Sequence, residues 1–260
     1  MKIFKILYCL TAYCTLFFIS CKTMTIISSN ENIDIPPYTV IFTFDDGPNQ
    51  HNDVTERLLD ILGKYQISGV FCLLGVNVLR YPDIVRRIHN EGHIIVNHGF
   101  SDKFSIFMND EEFRNNLLLA ENAILDVLGI ELYPKLYRPQ GGIYNIRQQR
   151  ILIEEGYTIV PFTVRVMDVF TSSAGKTRIT RRIINKVYKQ NGGIILFHDG
   201  RAGERREISI KKNPNGSFNR SWVPDAVEEI IKTLLDNGFI LSGSFDLTDI
   251  LIKTNPTVNF

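Results

Sequence analysis

Cysteine is scarce in this chain, which has four in 260 residues. Cys9, Cys14 and Cys21 lie near the N-terminus, so Cys72 stands alone in the rest of the chain and a disulfide within that part is excluded. An excess of charge is also missing, because the net charge is +1, and this gives no global reason to expect a nucleic acid partner. The stretch 176–212 is locally rich in Lys and Arg, for which a solvated helical face and loop is favoured over a polyanion-binding strip.

The N-terminus has the pattern of a signal peptide. Lys2 and Lys5 precede an apolar run over 6–19, which is short for a membrane span but fits the hydrophobic region of an export signal. A small residue followed by Cys21 resembles a lipoprotein cleavage site, so we expect export to the cell envelope and a lipid anchor on Cys21. An uncleaved anchor and a plain secretory signal are the alternatives, and membrane contact is expected through this segment alone. The predicted organisation is a signal peptide over 1–21, a polar tether over 22–37 and a folded domain over 38–260.

From residue 38 onward, short β-rich runs alternate with helical patterns. Strands are predicted over 38–44, 70–74, 94–96, 157–166 and 194–197. Helices are predicted over 54–65, 82–91, 110–128, 146–155, 177–190 and 225–237. This alternation favours parallel βα units in an open sheet or a barrel. The irregular stretch 200–223 is predicted to be a loop beside an active site.

Two adjacent carboxylates, Asp45 and Asp46, end the first predicted strand. Gly47 and Pro48 stop that strand sharply, so the carboxylates should lie at its C-terminal rim, where α/β enzymes place their chemistry. Neighbouring acids at a buried strand end repel each other, and we therefore expect a positive group beside them. A turn that caps the next helix is the alternative.

A candidate metal site combines Asp46 with His98 and Asp102. His98 follows a predicted strand and Asp102 comes four residues later, a spacing that puts both side chains on one face if the segment turns helically. One imidazole and two carboxylates could hold a divalent cation and leave positions open for water and substrate. Taken alone, His98 would more often be a hydrogen-bonded structural residue.

Polar residues follow three more short runs, over 135–137, 164–167 and 194–197. Arg138 comes shortly before Gly141, whose lack of a side chain lets a backbone N–H approach an oxyanion, although a tight turn with a surface arginine is an alternative. His198 ends an apolar strand, where a polar side chain must be hydrogen-bonded or liganded. Asp168 is the weakest candidate, since capping or solvent exposure explains it nearly as well.

Taken in order, these motifs resemble the polysaccharide deacetylase family, carbohydrate esterase family 4, over roughly residues 39–252. The motif Thr43-Phe44-Asp45-Asp46-Gly47-Pro48 is an intact match, and Asn97-His98 and Leu196-Phe197-His198 also match. The resemblance implies an α/β fold, a distorted β/α barrel that is complete or incomplete. It also implies a divalent metal cofactor, zinc before cobalt, nickel or manganese.

The resemblance assigns a role to each candidate residue. Asp45 would be the general base braced by Arg138, and His198 the general acid oriented by Asp168. Asp46 and His98 would bind the metal, and the Gly141 N–H would face the oxyanion.

Four positions depart from the family pattern. Asp102 replaces the second metal-binding histidine, which makes the site harder and more anionic and hence less selective for zinc. Gly99 stands where Ser or Thr is usual, Gly141 where an aromatic residue is frequent, so that a ring wall is lost, and Val169-Phe170 where a tryptophan is usual.

The resemblance implies a metal-dependent hydrolase, a deacetylase of the peptidoglycan or chitin type that releases acetate from an N-acetylated glycan. The export signal favours the N-acetylglucosamine of peptidoglycan as substrate. An O-acetyl polysaccharide esterase is one alternative, because the motifs do not separate an ester from an amide. A non-catalytic glycan-binding descendant is another, motivated by Asp102, but Asp45 and His198 would then have no use. A phosphatase is disfavoured, since a Gly-rich phosphate loop is missing from the sequence.

Overall fold

The computed structural model describes residues 24–26, 35–200 and 206–242. The predicted signal peptide, including Cys21, lies outside the described residues, and so does most of the predicted tether. In the described part of the chain, no helix combines the length and the apolar character that crossing a membrane requires.

The elements follow the predicted alternation of strands and helices. The strands are β1 (Met24–Ile26), β2 (Thr39–Gly47), β3 (Val70–Leu73), β4 (Ile94–Asn97), β5 (Leu136–Tyr137), β6 (Ile143–Asn145), β7 (Thr158–Ile159), β8 (Val164–Arg165), β9 (Gly193–His198) and β10 (Ile240–Leu241). The α-helices are α1 (Val54–Lys64), α2 (Gly75–Arg80), α3 (Pro82–Asn90), α4 (Asp110–Leu128), α5 (Ile146–Glu154), α6 (Lys176–Gln190), α7 (Arg206–Lys212) and α8 (Val223–Asp236).

One parallel sheet organises the domain. Its strands run in the order β7-β5-β4-β3-β2-β9-β8, and β10 pairs with the start of β2, while β1 and β6 form a separate antiparallel pair. The sheet curls into an incomplete barrel whose two end strands, β7 and β8, are neighbours in sequence. Between these two strands, the described residues form no ladder. The predicted distorted β/α barrel is thus confirmed in its incomplete form.

Alternating side chains of the strands build two separate cores. Phe42 and Phe44 belong to a core that also holds the buried faces of most helices, and Phe44 stacks on Phe71 with ring centroids 4.9 Å apart. Ile41 belongs to the second core, to which side chains of α4 and α5 contribute. Since Asp45 shares the face of Ile41, the two-residue period of β2 carries its carboxylate to the mouth of the barrel interior.

Two local predictions were wrong, and one helix was not predicted. The run 157–166 is not one strand, because the carbonyls of Val160 and Pro161 accept hydrogen bonds from the side chain of Arg138 instead of joining a ladder. Helix α7 lies within the stretch predicted to be a loop, and helix α2 begins directly after β3 without having been predicted.

Candidate active site

Six of the predicted site residues lie at or just after the carboxyl ends of β2, β4, β5, β8 and β9, on one rim of the sheet: Asp45, Asp46, His98, Arg138, Asp168 and His198. The register between β2 and β9 pairs Asp45 directly with His198. On its other side, β2 pairs with β3, and β4 and β5 follow in order, so that His98 and Arg138 reach the same rim. Parallel strands place their carboxyl ends on one edge, and this is the physical reason for the convergence.

Arg138 provides the positive group that the paired carboxylates require. Its Nη1 lies 3.3 Å from both carboxylate oxygens of Asp45. Its Nε donates to the carbonyl of Val160 at 2.7 Å and its Nη2 to that of Pro161 at 2.9 Å. The side chain is fully buried. The alternative of a surface arginine in a tight turn is therefore wrong. The contact of Nη1 with both carboxylate oxygens fixes the orientation of Asp45.

A β-bulge brings the second carboxylate into the site. A regular strand would point Asp45 and Asp46 to opposite faces of the sheet. Here the register between β2 and β3 shifts between Asp45 and Gly47, and Asp46 has a φ of 72°, which aspartate tolerates better than most residues. Asn77 Nδ2 donates to the carbonyl of Asp46 at 2.9 Å. As a result, Asp46 Oδ1 lies 3.3 Å from His98 Nε2.

Hydrogen bonding fixes the tautomer of His98. Its Nδ1 lies 2.7 Å from the carbonyl oxygen of Arg138. Because a carbonyl can only accept, Nδ1 carries a proton and donates, and Nε2 is the ring nitrogen that faces Asp46. Histidines that bind metals use the same arrangement, with the second ring nitrogen donating to a carbonyl or a carboxylate.

Asp46 and His98 fit a divalent cation in spacing and in charge. Two ligands about 2.1 Å from one tetrahedral ion are ~3.4 Å apart, close to the spacing of this pair. Burial disfavours a charged His98, but Asp45 and Asp46 outweigh it and raise the pKa of His98. Within the described ranges, no group of three or more His, Cys, Asp or Glu side chains is arranged to hold a metal ion. The third ligand therefore stays a prediction.

Negative charge exceeds positive charge at the rim. Its carboxylates are Asp45, Asp46, Asp168 and Asp199, and its positive groups are Arg138, Arg220 and His198, whose pKa is raised to about 9. Asp199 is fully buried, and Thr55 Oγ1 donates to its Oδ2 at 2.5 Å, while its Oδ1 has no hydrogen-bond partner among the described residues. Burial raises the pKa of Asp199 to about 6. A divalent cation would offset this excess of negative charge.

The loop after His98 is not helical. Residues 98–104 form bends and irregular backbone, so the expectation that a helical turn aligns Asp102 with His98 is wrong. Gln140 Nε2 instead holds this loop through a hydrogen bond to the carbonyl of His98. Gly99 has a φ of 82°, and a Cβ at this position would collide with the amide of Gln140. The packing of Gln140 explains why glycine replaces the expected Ser or Thr.

An aromatic ring does stand beside the predicted oxyanion donor. Gly141 has a φ of 70°, and a Cβ added to it would lie 2.6 Å from Cε1 of Phe104. The ring of Phe104 therefore occupies the space next to the Gly141 backbone and is half-exposed. The sequence predicts that a ring wall is lost at this position, but the loop after β4 supplies one.

His198 and Asp168 form a buried hydrogen-bonded pair. His198 Nδ1 donates to Asp168 Oδ1 at 2.9 Å, and the His198 backbone N–H donates to Oδ2 at 3.0 Å. Asp168 is fully buried, which rules out solvent exposure as its explanation. Burial lowers the pKa of His198, but the charge and hydrogen bond of Asp168 outweigh this effect and raise the pKa to about 9. His198 is thus an imidazolium at neutral pH, and Nε2 is the nitrogen available to a substrate.

Three side chains that hold the site together were not among the predicted site residues: Gln140, Asn77 and Arg220. Gln140 lies inside the arginine motif and could have been noticed as an amide at a strand end. Asn77 lies on α2, which was itself not predicted. Arg220 lies in the stretch predicted to be a loop, and no local pattern marks an arginine there as buried.

Replacing Asp168 with Asn tests the origin of the charge on His198. Without the carboxylate, burial is opposed only by the more distant charges of Asp46 and Asp45, so we expect the pKa of His198 to fall from about 9. An NMR titration of the imidazole in metal-free protein measures this shift. Asp83→Asn, at an exposed position on α3, is the control. A His198 pKa that stays near 9 in the Asp168→Asn variant would contradict the assignment.

Comparisons with known proteins agree with this geometry. Residues 33–160 match the family model for polysaccharide deacetylases. A peptidoglycan-N-acetylglucosamine deacetylase of Bacillus cereus is 34% identical over 199 residues, which cover 76% of this chain and 64% of that protein. The chain thus spans less than two thirds of the length of this relative.

Solved structures of deacetylases share the fold. The Bc1960 peptidoglycan N-acetylglucosamine deacetylase superposes with a TM-score of 0.62 at 29% identity, covering 81% of this chain and 87% of that one. Peptidoglycan deacetylase PdaC from Bacillus subtilis gives a TM-score of 0.62 at 25% identity, covering 84% and 93%. With its curled parallel sheet and rim motifs, the chain carries a polysaccharide deacetylase domain, which the family model matches over residues 33–160.

Proposed function

We propose that the protein is a metal-dependent hydrolase that removes N-acetyl groups from the N-acetylglucosamine of peptidoglycan. The observation that carries the proposal is the pairing of Asp45 with His198 across β2 and β9. One is a carboxylate braced by a buried arginine, and the other is an imidazolium maintained by a buried carboxylate. A base and an acid on opposite sides of one reacting group are what amide hydrolysis requires.

Asp45 serves as the general base. Its carboxylate is held by Arg138 and lies 4.0 Å from His98 Nε2, beside the proposed metal pair. It accepts a proton from the water that adds to the acetyl carbonyl, which becomes a tetrahedral oxyanion. The backbone N–H of Gly141 is the proposed protein donor to that oxyanion.

His198 serves as the general acid. Its Nε2 donates a proton to the amide nitrogen as the bond between carbon and nitrogen breaks, and acetate and a free amine leave. Asp168 holds the imidazole by Nδ1, so the ring keeps its orientation during the transfer. Its pKa of about 9 keeps the acid protonated at neutral pH, and we expect activity to decline as the pH rises through that value.

A divalent cation would be held by Asp46 and His98, with Asp102 as the proposed third ligand. When bound, it supplies Lewis acid chemistry that polarises the acetyl carbonyl. We propose zinc, and cobalt, nickel or manganese are the alternatives, because carboxylate ligands also suit harder ions.

The proposal of peptidoglycan as substrate has two supports. The relatives named above are peptidoglycan deacetylases. The predicted export signal and the proposed lipid anchor on Cys21 would also carry the domain to the cell envelope, where this glycan lies.

The proposed reaction is tested by measuring acetate released from peptidoglycan by the zinc-loaded full chain. Asp45→Asn and His198→Ala are each expected to lower kcat by ~100-fold or more, since positioned acid or base catalysis has that value. Both variants should still bind metal, and Asp83→Asn serves as the control. Activity within about tenfold of the parent in either variant would contradict the assigned roles.

Parallel assays on chitin oligosaccharides and acetylated xylan separate the amide from the ester. Acetate release from xylan alone would replace the proposal with an O-acetyl esterase. Metal binding with no release from any substrate would favour a non-catalytic glycan-binding protein.

The role of Asp102 is tested by calorimetric titration with Zn²⁺ and Mn²⁺. Asp102→Ala should weaken metal binding and activity together, because two ligands hold a divalent ion poorly. Asp102→His should shift the preference toward zinc and leave the enzyme active. Lys103→Ala is the matched control in the same loop. If Asp102→Ala binds metal as tightly as the parent, the carboxylate is a loop cap and the third ligand lies elsewhere.

The anchor is tested by incorporation of labelled fatty acid in a bacterial host. The parent should be labelled, Cys21→Ala should not, and Cys14→Ala, which changes a residue of the removed signal, should retain the label. An unlabelled parent, or equal labelling of the Cys21→Ala variant, would defeat the lipoprotein proposal.

A further inference from the structure

Arg220 contacts both members of the acid pair. Its Nη2 donates to Asp168 Oδ2 at 2.5 Å and its Nη1 to the Asp168 carbonyl at 2.8 Å. Its Nε donates to the carbonyl of His198 at 3.0 Å. One planar guanidinium thus joins the backbone and the carboxylate of Asp168 to the backbone of His198. A lysine, with one nitrogen on a flexible stem, does not span three such acceptors.

The hydrogen bonds divide the two oxygens of Asp168 between different partners. Oδ2 receives Arg220 and the backbone N–H of His198, and Oδ1 receives the imidazole. Because Oδ2 is occupied by a charged donor, the carboxylate cannot rotate without losing that contact. The guanidinium therefore sets the direction in which Oδ1 points, and with it the plane of the imidazole.

Burial makes this arrangement costly to maintain unless every group is paired. Arg220 and Asp168 are both fully buried, and the ring of Trp222 lies under the guanidinium, 5.0 Å from Cζ to the ring centroid. A buried guanidinium that served only packing would be replaceable by an apolar side chain. Here the three hydrogen bonds given for the Arg220 side chain all go to Asp168 or His198.

We propose that Arg220 is a positioning residue for the acid step, which fixes the Asp168 carboxylate and through it the imidazole that protonates the leaving nitrogen. This inference rests on the proposed function. Two buried arginines then have corresponding roles in the site. Arg138 holds Asp45, the proposed base, and Arg220 holds Asp168, which orients the proposed acid.

Arg57 provides a control for the possibility that Arg220 only stabilises its own segment of the chain. Arg57 Nη1 donates to the carbonyl of Ser221 at 2.9 Å, and its Nη2 pairs with Asp225 at 2.6 Å. Arg57 therefore tethers the residue that follows Arg220 to α1 and α8 without contacting the acid pair. Arg57→Gln loosens the segment and leaves the contacts to Asp168 in place.

The kinetic test compares Arg220→Gln, Arg220→Lys and Arg57→Gln in the zinc-loaded full chain. We expect Arg220→Gln to lower kcat by ~100-fold with little change in KM, since misplacing a catalytic group by about 1 Å has that effect. Arg220→Lys should lower kcat by about tenfold, because charge remains but the three-way geometry is lost. Arg57→Gln should keep kcat near that of the parent. Equal losses in the Arg57 and Arg220 variants, or an unchanged kcat in Arg220→Lys, would overturn the proposal.

A titration of His198 by NMR in metal-free protein gives a readout that does not require activity. The charged groups that act on this imidazole are Asp168, Asp46 and Asp45, and Arg220 contacts the carbonyl of the same residue. Arg220→Lys keeps the positive charge but loses the three-way contact, so the pKa of His198 should fall as the Asp168 carboxylate loosens, whereas charge removal opposes this fall in Arg220→Gln. A His198 pKa that is unchanged in Arg220→Lys would overturn the proposal.

The two readouts distinguish failure of this inference from failure of the proposed function. If the parent releases no acetate from any glycan, the proposed function fails, and the titration still decides whether Arg220 controls His198. The chain has one tryptophan, Trp222, so its fluorescence reports the local packing of each variant. Should Arg220→Gln fail to fold, the kcat and the His198 titration of Arg220→Lys decide the question.

Discussion

The buried contact between Arg138 and Asp45 is the interaction on which the rest of the site depends. One guanidinium faces both oxygens of the proposed base and also takes the carbonyls of Val160 and Pro161. The same guanidinium that orients Asp45 therefore takes up two carbonyls of the segment between β7 and β8, where the curled sheet stays open. Leaving either charge unpaired in this position would cost about 3–5 kcal/mol, so the contact links the stability of the barrel to the geometry of its site.

Charge organises the rim into two halves. In one half, Asp46 and His98 face each other in a negative environment that favours a cation. In the other, Asp168 keeps His198 charged and ready to donate a proton. The register of β2 with β9 brings the halves together, since Asp45 is the direct neighbour of His198. A water-activating group and a proton donor therefore flank one space, which is the arrangement that the proposed reaction needs.

Much of this organisation could be predicted from local sequence. Apolar runs that end in Asp45, His98 and His198 mark strand ends, and parallel strands bring such ends to one rim. The bulge at Asp46 could not be predicted, because a backbone φ of 72° depends on the register with β3 and not on the residues of β2 alone. The position of the Phe104 ring beside Gly141 could not be predicted either, because Phe104 lies in a loop that is distant from Gly141 in sequence.

The central claim is that this rim holds a divalent cation between Asp46 and His98. The most direct measurement is anomalous X-ray diffraction from crystals of the protein prepared with Zn²⁺. The account predicts one anomalous peak about 2.1 Å from both Asp46 Oδ1 and His98 Nε2. A crystal saturated with zinc that shows no peak between these two atoms, or a peak only elsewhere on the protein, would contradict it.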